Sequence, residues 1–167
     1  MRILKVAGEN LASLADAFCI DLEAEPIGGT GLFVITGPTG SGKSTILDAI
    51  CLALYDQLPR METADTEARI GRAERGDGQN LLRYSDVRGI LCHGAASAFA
   101  EVEFVGQDGR RYRARWQVKR ARNRPGGKLQ DQTLALTDVG TGEPIGDKKT
   151  DTLQEIKRRV GLDFNQF

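Results

Sequence analysis

Gly37-Pro38-Thr39-Gly40-Ser41-Gly42-Lys43-Ser44 is the stretch that decides how this 167-residue chain is read. It fits G-x-x-x-x-G-K-[ST], the phosphate-binding P-loop pattern. Each residue type has a physical task there. Gly37, Gly40 and Gly42 let the backbone turn tightly and approach a ligand with no Cβ in the way. Successive backbone N–H groups then point inward as an anion-binding nest. Lys43 supplies a full positive charge for the β- and γ-phosphates, and the Ser44 hydroxyl is placed to ligate Mg²⁺.

The flanks agree with that assignment. Leu32-Phe33-Val34-Ile35-Thr36 is a short apolar, β-branched run and predicts a buried strand. Ser44 to Tyr55 holds no Gly or Pro and predicts a helix, apolar nearly all round and therefore buried. Strand, glycine loop, helix is the order that sets phosphates at the positive end of a helix. A chance match in a glycine-rich chain would not bring these neighbours with it.

The length suits one domain with a proper core. Twenty-three basic and twenty-three acidic residues balance, so any pull toward nucleic acid must be local. Cys19, Cys51 and Cys92 are odd in number and form no C-x-x-C pair, which argues for a reducing compartment and against a disulfide framework or zinc site. The start of the chain carries no secretory h-region, and no apolar run approaches membrane-spanning length. The expectation is a cytoplasmic protein with no membrane partner. His93, the one histidine, is expected on a surface or loop.

Ile3-Leu4-Lys5-Val6 predicts a first strand, and Phe18 to Leu22 a second, with the turn formers of Asn10 to Ser13 between them. Pro26 to Gly31 is a loop, and Pro59 ends the P-loop helix. Residues 60–80 are polar and glycine-punctuated and predict a mobile excursion, with one or two helical turns over 80–84. From about 98 to 138 the period changes to two. Ala100, Val102 and Phe104 alternate with Glu101 and Glu103; Tyr112, Ala114, Trp116 and Val118 alternate with arginines, Gln117 and Lys119. A two-residue Asp108-Gly109 turn would pair Phe104 with Arg113 and flip one strand; a three-residue loop sets apolar residues opposite apolar ones and Glu103 across from Arg113 or Arg115. Leu129 to Asp138 predicts a returning strand. A helix is expected from about 148 to 160, with Leu153, Ile156 and Val160 on one face and Gly161 as its stop.

Hydrolysis needs more than a P-loop. It needs a second acidic group for Mg²⁺ and a residue that positions the attacking water. No apolar strand ends in Asp-Glu here. Leu134 to Asp138 and the helix ending Tyr55-Asp56 are faint imitations, better explained as ordinary structure. Asp86-Val87-Arg88-Gly89 fits the D-x-x-G of GTPases but has no Asn-Lys-x-Asp guanine reader with it. Between Arg110 and Lys128 stand nine basic residues and no acid. Glu101 and Glu103 can offset Arg113 and Arg115 on a solvated strand face. Lys119, Arg120, Arg122 and Arg124 lie near Ser97 and Ala98 instead, beyond those acids, where a hairpin end suits DNA phosphate contact.

Gly37 to Thr45 followed by Ile46-Leu47-Asp48-Ala49-Ile50 resembles the SMC-like ABC ATPases. Asn10 to Leu14, Cys51 to Tyr55, Ala100 to Phe104, Arg120 to Asn123 with Leu129-Gln130, and Gly161 to Phe167 narrow the resemblance to the bacterial SbcC family. The likeness covers nearly the whole chain except residues 60–80. It implies an N-terminal lobe, 1–167, of a split ATPase head that binds ATP and Mg²⁺. Asn10 and Ser13 would line the pocket beside Gly37, Pro38, Thr39, Gly40, Ser41, Gly42, Lys43, Ser44 and Thr45, with Ser44 on the metal. It also implies a C-terminal lobe and a second copy of the head as partners, an SbcD-like nuclease subunit, and DNA double-strand break processing. The family's glutamine-bearing loop, signature motif and Walker B acids are absent from these residues, so the fragment alone is expected to bind ATP without turning it over.

The expected fold is α/β: a P-loop NTPase lobe of the ABC/SMC type, with a mixed sheet and an antiparallel β subdomain. A complete small P-loop kinase or GTPase is one rival, and should transfer phosphate unaided. A non-catalytic DNA-binding module with a vestigial P-loop is the other, and should bind DNA identically with and without Mg-ATP.

Overall fold

The computed structural model describes residues 1–28, 34–59, 69–70, 82–83 and 85–164. Its centre is the hairpin of β5 (Ser97–Val105) and β6 (Arg111–Lys119). Ala98, Ala100, Val102, Phe104, Tyr112, Ala114, Trp116 and Val118 are all buried on one face, as the period of two demands. Phe104 faces Tyr112, Val102 faces Ala114 and Glu103 faces Arg113. This is the register of the three-residue loop. Gly106 N–H donates to the Arg110 carbonyl, and Gly109 takes the left-handed φ of 76° that closes the turn.

β1 (Arg2–Glu9) pairs with β5, and β2 (Phe18–Asp21) with β1. On the other side β7 (Thr133–Asp138) pairs with β6, and β8 (Pro144–Ile145) with β7. The sheet order is β2-β1-β5-β6-β7-β8, antiparallel at every described pairing. The α/β lobe expected from the sequence is what is found, but the N-terminal strands share one sheet with the hairpin. β8 was not legible, since its two residues are too few to show a period. Its Pro144 sits on an edge strand, where no ladder donor is needed.

Among the described residues, two helices cover the buried face. α1 (Lys43–Tyr55) packs on β5 and β6, and α2 (Lys149–Val160) on β7 and α1. Cys51, Leu52, Ala53, Leu54 and Tyr55 are sealed in the core, and each fully buried leucine contributes about 1.5–3 kcal/mol. Burial pushes the Cys51 thiol up to about 11. Gly161 ends α2 at φ 70° with its N–H on the Lys157 carbonyl, the expected stop.

Two expectations need correction. Val34 to Thr36 belong to no strand, and Val34 is 79% exposed; Leu32 and Phe33 lie outside the described residues. An apolar run states a need for burial and not what supplies it. Leu82–Arg83 forms a short strand, β4, against β3 (Arg69–Ile70), where a helical turn was expected; two short strands can pair locally with no long apolar pattern. The rest of the excursion at 60–80 lies outside the described residues. His93 is exposed, as expected, and among the described residues no helix is long and apolar enough to cross a membrane.

Candidate functional site

α1 starts directly behind the glycine loop. Gly42 is its N-cap at φ 88°, and no side chain caps the helix, so the first-turn N–H groups are not consumed by a neighbouring oxygen from a cap. Gly40 also takes a left-handed φ, 84°, which lets the loop fold over the helix start. Residues 37–41 are exposed. Lys43 Nζ donates to the carbonyls of Gly37 and Pro38, each at 2.7 Å, and to Ser41 Oγ at 3.4 Å. The loop thus curls around its own ammonium group. Ser44 is exposed one residue into the helix, and Thr45 is buried beneath it. A bed of backbone donors, a helix N-terminus, one cation and one free hydroxyl fit a magnesium-bound polyphosphate chemically.

The turn at 10–14 leans on this loop. Leu11 and Leu14 close it with a pair of backbone bonds at 2.9 and 2.8 Å. A Cβ on Gly42 would stand 2.6 Å from Leu14 Cδ2, so glycine is needed for contact as well as for φ. Asn10, at φ 55°, donates from Nδ2 to the Ser97 carbonyl, and its own carbonyl accepts from Cys92 N–H. Ser13 is exposed. The structure therefore brings the turn of Asn10 and Ser13 against Gly42. Leu14, which makes that contact, was missed: nothing in its spacing marks it.

The same end of the sheet carries the free basic residues. Ser97, tied to Asn10, is the cross-strand partner of Lys119. Lys119, Arg122 and Arg124 are exposed and have no carboxylate partner among the described residues. Arg120 differs: it is half-buried, and its guanidinium donates to the Gly127 carbonyl at 3.2 Å, stapling the turn. Arg122 at φ 56° and Asn123 at φ 50° hold successive left-handed conformations there. Lys128, also exposed, closes the turn through Ala121 N–H on its carbonyl and was not among the four residues singled out.

The arginines further along β6 are spent. Glu23, Arg111, Glu103, Arg113, Glu101 and Arg115 form one alternating chain of ion pairs on the outer sheet face. Arg115 also stacks on Phe99, 3.9 Å from the ring centre. Burial alone would raise the Glu103 pKa, but hydrogen bonds from Arg113 and Arg111 overcome it and hold the carboxyl below its ordinary value. A carboxyl lowered in the fold stabilises it above its unfolded pKa, and that contribution is lost as pH falls through the folded value. Glu103→Gln is therefore expected to cost about 1.5–3 kcal/mol at pH 7. The gap from the wild type should close below the ordinary carboxylate range, near pH 4. Thermal melts from pH 7 to pH 3 check this, and a gap that stays constant would contradict it.

The acidic imitations are structural. Asp138 accepts from the N–H groups of Gly140 and Thr141 and pairs with Arg110. Asp86 caps a short 3-10 turn through Arg88 N–H and pairs with the Arg88 side chain.

Over residues 5–167 the chain matches the family model described as an AAA domain. It is 45% identical to the SbcC subunit of the SbcCD nuclease of Pseudomonas aeruginosa, across 100% of this chain and 14% of that protein. The same-named protein of Rhodobacter capsulatus is 42% identical over 100% of the chain and 13% of its own length. That of Deinococcus radiodurans is 32% identical over 81% and 12%. The chain spans a small part of the length of these relatives.

Proposed function

Because this chain belongs to the AAA domain family, we propose that it is the ATP-binding N-terminal lobe of an SbcC-like ATPase head. In that reading the head works in the cytoplasm with an SbcD-like nuclease subunit on DNA double-strand breaks and hairpins. The observation that carries the reading is the uncapped start of α1 behind Gly40 and Gly42, with Lys43 and Ser44 in its first turn. Bound Mg-ATP supplies a phosphoanhydride whose free energy of hydrolysis can drive conformational change. Lys43 would exchange the carbonyls of Gly37 and Pro38 for phosphate oxygens, Ser44 would hold the metal, and Asn10 and Ser13 would border the nucleotide. Exposed Val34 and Ile35, on an apolar hollow of about 400 Å³ lined also by Ile3, Ile20, Ile46 and Ile50, favour a C-terminal lobe packed on this face. Such a lobe would bury the 34–36 segment that the sequence marks for burial.

Lys43→Ala should remove a charge-assisted contact of about 1.5–3 kcal/mol, or about ten- to a hundredfold in Mg-ATP affinity. Calorimetric titration of both proteins measures it. Equal affinities would remove the nucleotide assignment.

A further inference from the structure

The far end of α1 is held by a residue that local rules disfavour. Asp56 follows the helix at φ 55° and ψ 35°, with its N–H on the Leu52 carbonyl. That left-handed conformation suits Gly best, with Asn and Asp the side chains that tolerate it. A carboxylate beyond a helix C-terminus also meets the negative end of the helix dipole. The Asp56 side chain is nonetheless only 10% exposed. It accepts from Trp116 Nε1–H at 2.8 Å, from Gln132 Nε2 at 3.1 and 3.2 Å, and from Lys149 Nζ at 2.7 Å. Those donors come from β6, the segment before β7, and the first residue of α2. One carboxylate thus ties α1 to three other parts of the fold. A carboxylate set against the helix dipole and nearly buried points to what it touches.

Apolar packing presses α1 on the sheet but is non-directional, so it sets a distance and not a rotation. Hydrogen bonds from three elements fix rotation and axial position together. We propose that Asp56 is a positioning residue for the phosphate loop, acting through α1. The helix has 13 residues. At 1.5 Å per residue it is a rod about 20 Å long, and a tilt of about 3° around its middle moves the Lys43 end by about 0.5 Å. Binding constellations lose precision at displacements of that size. The inference rests on the nucleotide-binding reading above and adds to it a control point at the opposite end of the helix.

The test uses the 167-residue chain and three variants. Asp56→Asn removes the charge. Lys149→Met removes only the ion pair and leaves the bonds from Trp116 and Gln132. Glu103→Gln destabilises from the outer sheet face and serves as the matched control. Mg-ATP affinity is read by calorimetry at a temperature where circular dichroism shows each variant folded. Emission of Trp116, the sole tryptophan, reports whether its bond to the carboxylate survives. Asp56→Asn is expected to weaken Mg-ATP about tenfold or more and Lys149→Met about threefold, while Glu103→Gln leaves affinity unchanged despite a lower melting temperature. Unchanged affinity in folded Asp56→Asn overturns the proposal. So does an equal loss in Glu103→Gln, which would make the effect one of general stability. If Asp56→Asn does not fold, Lys149→Met decides, and wild-type affinity there overturns it. A wild-type chain that binds no Mg-ATP while folded rejects the nucleotide reading itself, and this inference falls with it.

Discussion

Phosphate release from the 167-residue chain alone is expected to stay at background, even at saturating Mg-ATP. Phosphoryl transfer depends almost wholly on positioning and charge stabilisation. Under the nucleotide-binding proposal the chain supplies the phosphate cradle, and its nearest candidates for the missing acids are engaged elsewhere. Asp138 is held by Gly140, Thr141 and Arg110, and Asp56 by Trp116, Gln132 and Lys149. Lacking water-positioning and second metal-binding groups costs several powers of ten, about 4 kcal/mol or more. Under the split-head proposal, turnover should appear when the C-terminal lobe is added, and rise more steeply than linearly with concentration as two heads meet. A continuous phosphate assay on each mixture measures this. Robust turnover by the chain alone, abolished by Lys43→Ala, would reject the split head in favour of a self-contained small P-loop enzyme.

DNA affinity should be steeply salt-dependent, and three residues should carry the dependence. Lys119, Arg122 and Arg124 are exposed without acid partners, whereas Arg111, Arg113 and Arg115 are neutralised in the outer ladder. Replacing the three free residues with Ala should flatten the slope of log affinity against log salt by about 0.9 for each phosphate left without its cation, nearly 3 for all three. Adding Arg120→Ala should change the slope little and lower stability instead, because its guanidinium holds the Gly127 carbonyl. Duplex binding by anisotropy from about 50 to 200 mM salt measures the slopes. Equal slopes for the wild type and the triple variant would reduce the cluster to a solvated surface and remove DNA contact from this end of the sheet.

The sequence made local features legible and hid those made by distant segments. The hairpin register followed from apolar alternation across one short turn. The turn from the glycine loop into α1 followed from glycine spacing next to a lysine. Separating spent arginines from free ones worked for Arg113 and Arg115, since Glu101 and Glu103 lie within their reach once the register is known, but not for Arg120, whose guanidinium holds the Gly127 carbonyl. Val34 and Ile35 misled because their composition demands burial while no described strand of this chain pairs with them. Asp56 could not be found at all. Its meaning needs residues 116, 132 and 149 at one point, and no periodicity links them. Leu14 is invisible for the same reason, as its partner is a glycine.

The order of strands in the sheet bears on how the chain acquires its shape in time. β5 and β6 are neighbours in sequence joined by a tight turn, while β1 must find β5 across almost the whole intervening chain. Pairing that closes a short loop comes sooner than pairing that closes a long one. The hairpin is therefore the natural nucleus, and β1 docks on it late. The turn at Asn10 hangs from the end of β1 and gains its anchor only when Ser97 is in place. A chain emerging from the ribosome would thus present its glycine loop early but complete the walls of that loop only after residue 119, the end of the hairpin on which β1 docks, has cleared the exit. Under the nucleotide-binding proposal, competence for nucleotide would then come late in folding, although the residues proposed to carry it are made early.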